Sequence, residues 1–183
     1  MLVLDLLYKN EFHDWISVEK ASPNFVWFKI SLSYTKTSKD TFVRWAYIPP
    51  YNSNYFHPEL FEDLESDIEN YASQGSVLLM VDLISRTGKY PDSVSWEGNN
   101  IITNDQSEYA PSFNQRNRFE NDLNNHGKRL LGICRSADLI ILNGRLSDDS
   151  IGRATFHGRN GPSVVDYAIW DQDLFSSRRT FCC

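Results

Sequence analysis

The run Val77-Leu-Leu-Met-Val81 is continuously apolar and ends abruptly in Asp82. An apolar run of that length is the pattern of a strand covered on both faces, and such strands sit in sheets that carry helices. The residues just before it provide one. Pro58 suits a first helical turn, and Glu59, Glu62 and Asp63 complement the positive end of the helix dipole. Leu60, Phe61, Leu64, Ile68 and Tyr71 then recur at helical spacing before Gly75. An α/β protein is expected, with Asp82 at the C-terminal lip of a buried strand. A carboxylate there is either a functional group or a loop cap.

Upstream, Val26, Phe28, Ile30 and Leu32 alternate on one face, and Thr41 to Ile48 is a second aromatic and β-branched run. The polar stretch Ser33 to Asp40 joins them, which predicts a hairpin. Pro49 and Pro50 cannot donate to a ladder, so the second strand ends near Tyr47. Downstream, Gly88 to about Arg118 shows no sustained period and reads as a long surface loop. A helix is expected from about Asn121 to Ser136, with Leu123, Leu130, Leu131 and Cys134 inward, then a strand over Asp138 to Leu142. Thr155-Phe156 and Ser163 to Trp170 flank His157-Gly-Arg-Asn-Gly161, whose Asn160-Gly161 pair signals a hairpin turn. Asp166 lies in the apolar second strand of that hairpin, where an unpaired carboxylate is costly; it is expected to have a partner or a shifted pKa.

The 183 residues are 41% hydrophobic, enough for one sizeable core and therefore one domain. A formal net charge of -6 argues against a protein that coats nucleic acid through general basicity. The charge is uneven: Glu59 to Asn70 holds six acids and no base, whereas Asn114 to Asn160 holds eight Arg and Lys against five acids. The later half is the better candidate to face a phosphate, with solvated helix and loop faces as the plain alternative. Cys134, Cys182 and Cys183 have no metal-ligand spacing, and Met1 to Leu7 is too short for a membrane span or signal core. No membrane association and an intracellular setting, nucleus or cytoplasm, are expected.

Taken in order, Tyr47-Ile-Pro-Pro-Tyr-Asn-Ser53, Val77-Leu-Leu-Met-Val-Asp-Leu-Ile-Ser-Arg-Thr-Gly88, Leu142-Asn-Gly-Arg145, Ala154-Thr-Phe156 and Ser163-Val-Val-Asp-Tyr-Ala168 form a series of landmarks. This series resembles the endonuclease/exonuclease/phosphatase superfamily, in the form found in retrotransposon-derived endonucleases of animals. The match runs from about Trp27 to Leu174. The resemblance implies a four-layer α/β sandwich with two packed mixed β-sheets, here truncated at both ends. It implies metal-assisted phosphodiester hydrolysis, usually of DNA, with magnesium as the ion. Asp82 then corresponds to the water-orienting carboxylate and metal ligand, and Tyr47 to the tyrosine that contacts the scissile phosphate. Asp166 corresponds to the aspartate that orients a catalytic histidine, and Asn143 and Arg145 to the substrate side.

Three departures bear on activity. The family's asparagine-bearing strand and metal-binding glutamate belong well upstream of Tyr47, and neither Glu11 nor Glu19 has their local pattern, so an incomplete magnesium site is expected. In the family's Gly-Asp-x-Asn signature the glycine position is Val81 and the asparagine position is Ile84, so a hydrocarbon stands where an amide donor belongs. Losing one such donor costs roughly 100- to 1000-fold in rate. The family's closing Ser-Asp-His does not follow Asp166 before Cys183, and none of His13, His57, His126 and His157 stands in that context. Impaired catalysis is expected. A non-catalytic binding relic and a phosphatase of the same superfamily are the alternatives.

Overall fold

A computed structural model describes residues 12–93, 95–97, 100–102, 116–117, 119–159 and 161–172. The largest sheet has six strands: β1 (Ile16–Ser22), β2 (Phe25–Ile30), β3 (Thr41–Tyr47), β4 (Ser76–Asp82), β7 (Leu139–Ile141) and β10 (Asp166–Asp171). Their order across the sheet is β1-β2-β3-β4-β10-β7. Only β3 and β4 run parallel, because α2 (Glu59–Ala72) carries the chain back between them; the other pairs are antiparallel. The expected β2–β3 hairpin forms with Phe25 opposite Ala46 and Ile30 opposite Thr41. Its connection contains the short helix α1 (Leu32–Thr35), started by the Ser31 hydroxyl accepting from Ser33 N–H.

Alternation along the strands decides the two faces of this sheet. Phe25, Trp27, Phe42, Ala46, Val77, Leu79, Val81, Leu139, Ile141, Tyr167 and Ile169 form one buried cluster with the apolar stripes of α2 and α3 (Asn125–Ser136). The α2 stripe is Phe61, Leu64, Ile68 and Tyr71, as its spacing predicts. Asp67 is also buried on that stripe. Its carboxylate accepts from Trp27 Nε1 at 2.9 Å and Arg44 Nη1 at 2.9 Å, and pairs with Lys20 Nζ at 2.7 Å. Burial pulls the Arg44 guanidinium down to about 10, with Asp67 and Asp63 opposing the shift.

Three expectations need correction. The second face of β4 is open only toward its end: Met80 is 49% exposed and its β3 neighbour Trp45 is 51% exposed, whereas Ser76, Val43 and Ile140 on that same face are buried. A continuous apolar run does not distinguish a strand covered on both sides from one with an uncovered apolar face. The 88–118 segment holds a short antiparallel pair, β5 (Ser95–Glu97) with β6 (Asn100–Ile102), and Asp92 within it is 1% exposed; much of the segment lies outside the described residues. The helix expected from Asn121 begins at Asn125, because the Asn124 side chain caps it by accepting from Gly127 N–H at 2.8 Å.

The hairpin strand expected from Ser163 to Trp170 is also corrected: β8 (Phe156–Gly158) pairs only with β9 (Gly161–Ser163), and Asp166 opens β10, which starts separately after Val164 and Val165 and joins the large sheet. Gly161 sits at φ +103, a value that favours glycine at this turn, while Asn160 lies outside the described residues. The described fold is thus mixed α/β, built on a six-stranded mixed sheet with two small two-stranded pairs. Among the described residues no helix is long and apolar enough to cross a membrane.

Candidate functional site

β3 and β4 end together, because they run parallel in a register that places Tyr47 beside Asp82. β10 starts at that same end, and its register places Asp166 beside Asp82. Tyr47, Asp82 and Asp166 therefore form a row across three strands on one face of the sheet. That face is open at this end, where Trp45, Met80 and Ala168 form the next row along it, and is buried again at Val43 and Ile140. Tyr47 is 46% exposed, Asp82 half-buried and Asp166 exposed. The expectation that Asp166 would be enclosed by apolar side chains is corrected: the apolar members of β10, Tyr167 and Ile169, point to the helix side.

The backbone around the two aspartates shows how close they are. Asp82 C=O accepts from Ile48 N–H at 2.8 Å, and Asp166 N–H donates to Thr155 Oγ1 at 3.1 Å. The bond that ties the strands here is Leu83 N–H to Val165 C=O at 3.1 Å, one step further along. Asp82 and Asp166 thus face each other as a pair without mutual backbone bonds, the type in which side chains approach most closely, with Cβ atoms roughly 4.5–5.5 Å apart. Partial burial and then the Asp166 charge push the Asp82 carboxyl above its ordinary value, while the Ile84 N–H hydrogen bond opposes the shift.

After Asp82 the chain bends sharply. Ile84 has φ +48, a left-handed conformation rare for a β-branched residue. The bend is held by Asn124, whose Nδ2 donates to Ile84 C=O at 2.9 Å and whose Oδ1 accepts from Arg86 N–H at 3.0 Å. One amide thus both caps α3 and fixes the loop beneath the carboxylates. Gly127 is needed for this approach, since a Cβ there would lie 1.9 Å from Arg86 O.

Asn143 reaches the cluster through β10. Its Nδ2 donates to Asp166 C=O and its Oδ1 accepts from Ala168 N–H, both at 3.1 Å. Arg145 is not brought to the cluster. Its guanidinium is 2% exposed and clasps Asp92 through two hydrogen bonds, of 2.6 and 2.8 Å, while also donating to Ile141 C=O. Burial alone would raise the Asp92 carboxyl, but the Arg145 hydrogen bonds and charge outweigh it and hold the carboxyl below the ordinary range.

Sequence reasoning passed over Thr155, Asn124 and Asp92. Thr155 lay within a quoted landmark, Ala154-Thr-Phe156, but nothing local marked its hydroxyl as a partner of β10. Asn124 had a visible signal, an asparagine just before a helical pattern.

Among the described residues no group of three or more His, Cys, Asp and Glu side chains is placed to hold a metal ion. Two adjacent carboxylates still fit magnesium, which takes oxygen ligands and is commonly bound by one or two carboxylates plus waters and substrate phosphates. The Asp82 carboxyl is raised first by burial and then by the Asp166 charge; a divalent cation between the two would relieve the second of these. No protein-family model matches the chain. No curated protein matches it either.

Proposed function

We propose that this chain is a metal-dependent phosphodiester hydrolase domain of endonuclease type, slow in catalysis, acting on DNA. The observation that carries the reading is the row Tyr47, Asp82, Asp166: three residues singled out by a resemblance, distant in sequence, that fall side by side at one sheet end. Asp82 and Asp166 would hold magnesium, which when bound offsets charge on the phosphoryl oxygens. Asp82 would also accept a hydrogen bond from the attacking water and orient it. The exposed Tyr47 phenol is a donor for a phosphoryl oxygen as charge builds on it. The Ile84 side chain supplies no donor beside them, which would slow the reaction.

The open face supports a finer reading of the fold. Trp45 and Met80 leave an apolar surface of the kind that packs against another layer. A second sheet on that face would complete a four-layer sandwich, with the carboxylate row at the rim between the sheets.

Supercoiled-plasmid nicking in magnesium tests the reading. Slow nicking by the unaltered chain, lost in Asp82→Asn and accelerated in Ile84→Asn, is expected. Nicking that persists undiminished in Asp82→Asn sinks it. The hydrocarbon at Ile84 favours one other reading, a non-catalytic DNA-binding module; salt-sensitive DNA binding with no nicking by any variant would select that reading.

A further inference from the structure

Among the described residues, no strand pairs with the outer edge of β10 at Asp166. β7 pairs with β10 from Asp171 only as far as Ile169, with one further backbone bond from Leu142 N–H to Ala168 C=O at 2.7 Å. Beyond that point the outer edge of β10 is bonded by side chains. The Asn143 carboxamide spans Asp166 C=O and Ala168 N–H, offering the donor and acceptor that a neighbouring peptide group would offer. Thr155 Oγ1 accepts from Asp166 N–H at 3.1 Å and from Val165 N–H at 3.0 Å. Both backbone polar groups of Asp166 are therefore tied to side chains that come from different elements.

Each of those side chains is itself anchored. Asn143 leaves β7 directly and is followed by Gly144 at φ +77, whose N–H donates to Asp149 Oδ2 at 3.0 Å. A Cβ at Gly144 would lie 1.9 Å from Asn117 O, so this exit admits only glycine. Thr155 N–H donates to Ser163 C=O at 3.0 Å at the base of the β8–β9 hairpin. Like charges directly opposite on neighbouring strands repel, and without a restraint the chain would relax by letting them part. The restraint acts on the backbone of the very residue that bears the second charge.

We propose that Asn143 and Thr155 are positioning residues that hold the Asp166 carboxylate against Asp82, bonding the β10 edge where no strand among the described residues pairs with it. The proposal rests on the reading of Asp82 and Asp166 as the magnesium-binding pair. Both act through the backbone of β10. Their effect is to keep two oxygen ligands close enough to share one cation, and partners that orient ligands in this way commonly set metal affinity by roughly 10- to 100-fold.

The test uses the whole chain with MgCl2, following amide resonances by NMR, in Thr155→Val, Thr155→Ser and Asn143→Ala, with circular dichroism to confirm folding. Magnesium affinity should fall about ten-fold or more in Thr155→Val and Asn143→Ala, and return to within about two-fold of the original in Thr155→Ser, which keeps the hydroxyl. In metal-free protein the carboxyl carbon resonances of Asp82 and Asp166 should move in Thr155→Val and stay in place in Thr155→Ser. Unchanged affinity and unchanged carboxyl resonances in folded Thr155→Val or Asn143→Ala overturn the proposal. If the unaltered chain takes up no magnesium while the carboxyl resonances still move, the positioning role stands and the hydrolase reading fails. Should Thr155→Val not fold, Asn143→Ala carries the same comparison.

Discussion

Asp82 and Asp166 face each other across β4 and β10 with no backbone hydrogen bond between them, their backbone groups being bonded to Ile48, Thr155 and Asn143. Two carboxylates in such a pair work against stability whenever both are ionised.

The pH dependence follows from the raised Asp82 carboxyl. In the folded state Asp82 holds its proton to higher pH than the unfolded chain does, so its contribution to stability is fully present below the ordinary carboxyl value of 3.8 and is lost as pH rises through the folded value. Asp82→Asn should therefore be the more stable protein at neutral pH, by roughly 0.2–1 kcal/mol. The advantage should vanish in acid. Urea titrations at several pH values check this, and a variant less stable at neutral pH refutes it. Added magnesium should raise the melting temperature of the unaltered chain more than that of Asp82→Asn.

Arg145→Ala should be strongly destabilising. It removes the ion-pair partner of Asp92, 1% exposed, and leaves only the more distant Arg116 charge, a class of change that costs about 3–5 kcal/mol. Asp92 has a depressed carboxyl pKa, so the stability it contributes is present above the unfolded value and lost as pH falls through the folded one. Chemical denaturation of this variant should show a flatter acid limb than the unaltered chain; a loss under 1 kcal/mol would contradict the pairing.

Asp67 ties α2 to the sheet through Trp27, Arg44 and Lys20. Asp67→Ala should cost about 3–5 kcal/mol by leaving Arg44 buried and unpaired, whereas Arg44→Met combined with Asp67→Leu should recover most of that loss. A double-mutant cycle from thermal melts measures the recovery. Strict additivity of the two changes would show that the ion pair is not what matters there.

Ile84 is held at φ +48, where asparagine is tolerated far better than a β-branched residue. Such strain costs about 1–3 kcal/mol, offset by the burial of a half-exposed apolar side chain. Ile84→Asn should raise the urea midpoint, by the equivalent of up to about 1 kcal/mol, and speed nicking about 100-fold by adding an amide donor. A lower midpoint would mean that the bend is not strained by isoleucine.

Much of the local structure was legible in the residues. The helical spacing of Phe61, Leu64, Ile68 and Tyr71 and the proline pair after Tyr47 report backbone geometry within a few residues. The alternation of Val26, Phe28, Ile30 and Leu32 marked a strand but not its core face, which is that of Phe25 and Trp27, and Leu32 opens α1, 45% exposed. Asp82 at the end of an apolar run was visible for the same reason. The exposure of Met80 was not, because an apolar run carries no information about whether a second layer covers it.

The amino-acid sequence by itself determined where strands and helices form and which chemical groups stand at strand ends, since period, capping and proline placement act over one or two turns of chain. Tertiary structure decided which of those ends meet: that β10 inserts between β4 and β7, that Asp166 lands opposite Asp82, and that Arg145 turns inward to Asp92 from 53 residues away. These are choices of register and pairing, settled by the shared burial of whole faces and by the need of every buried charge for a partner. No single stretch of sequence contains them.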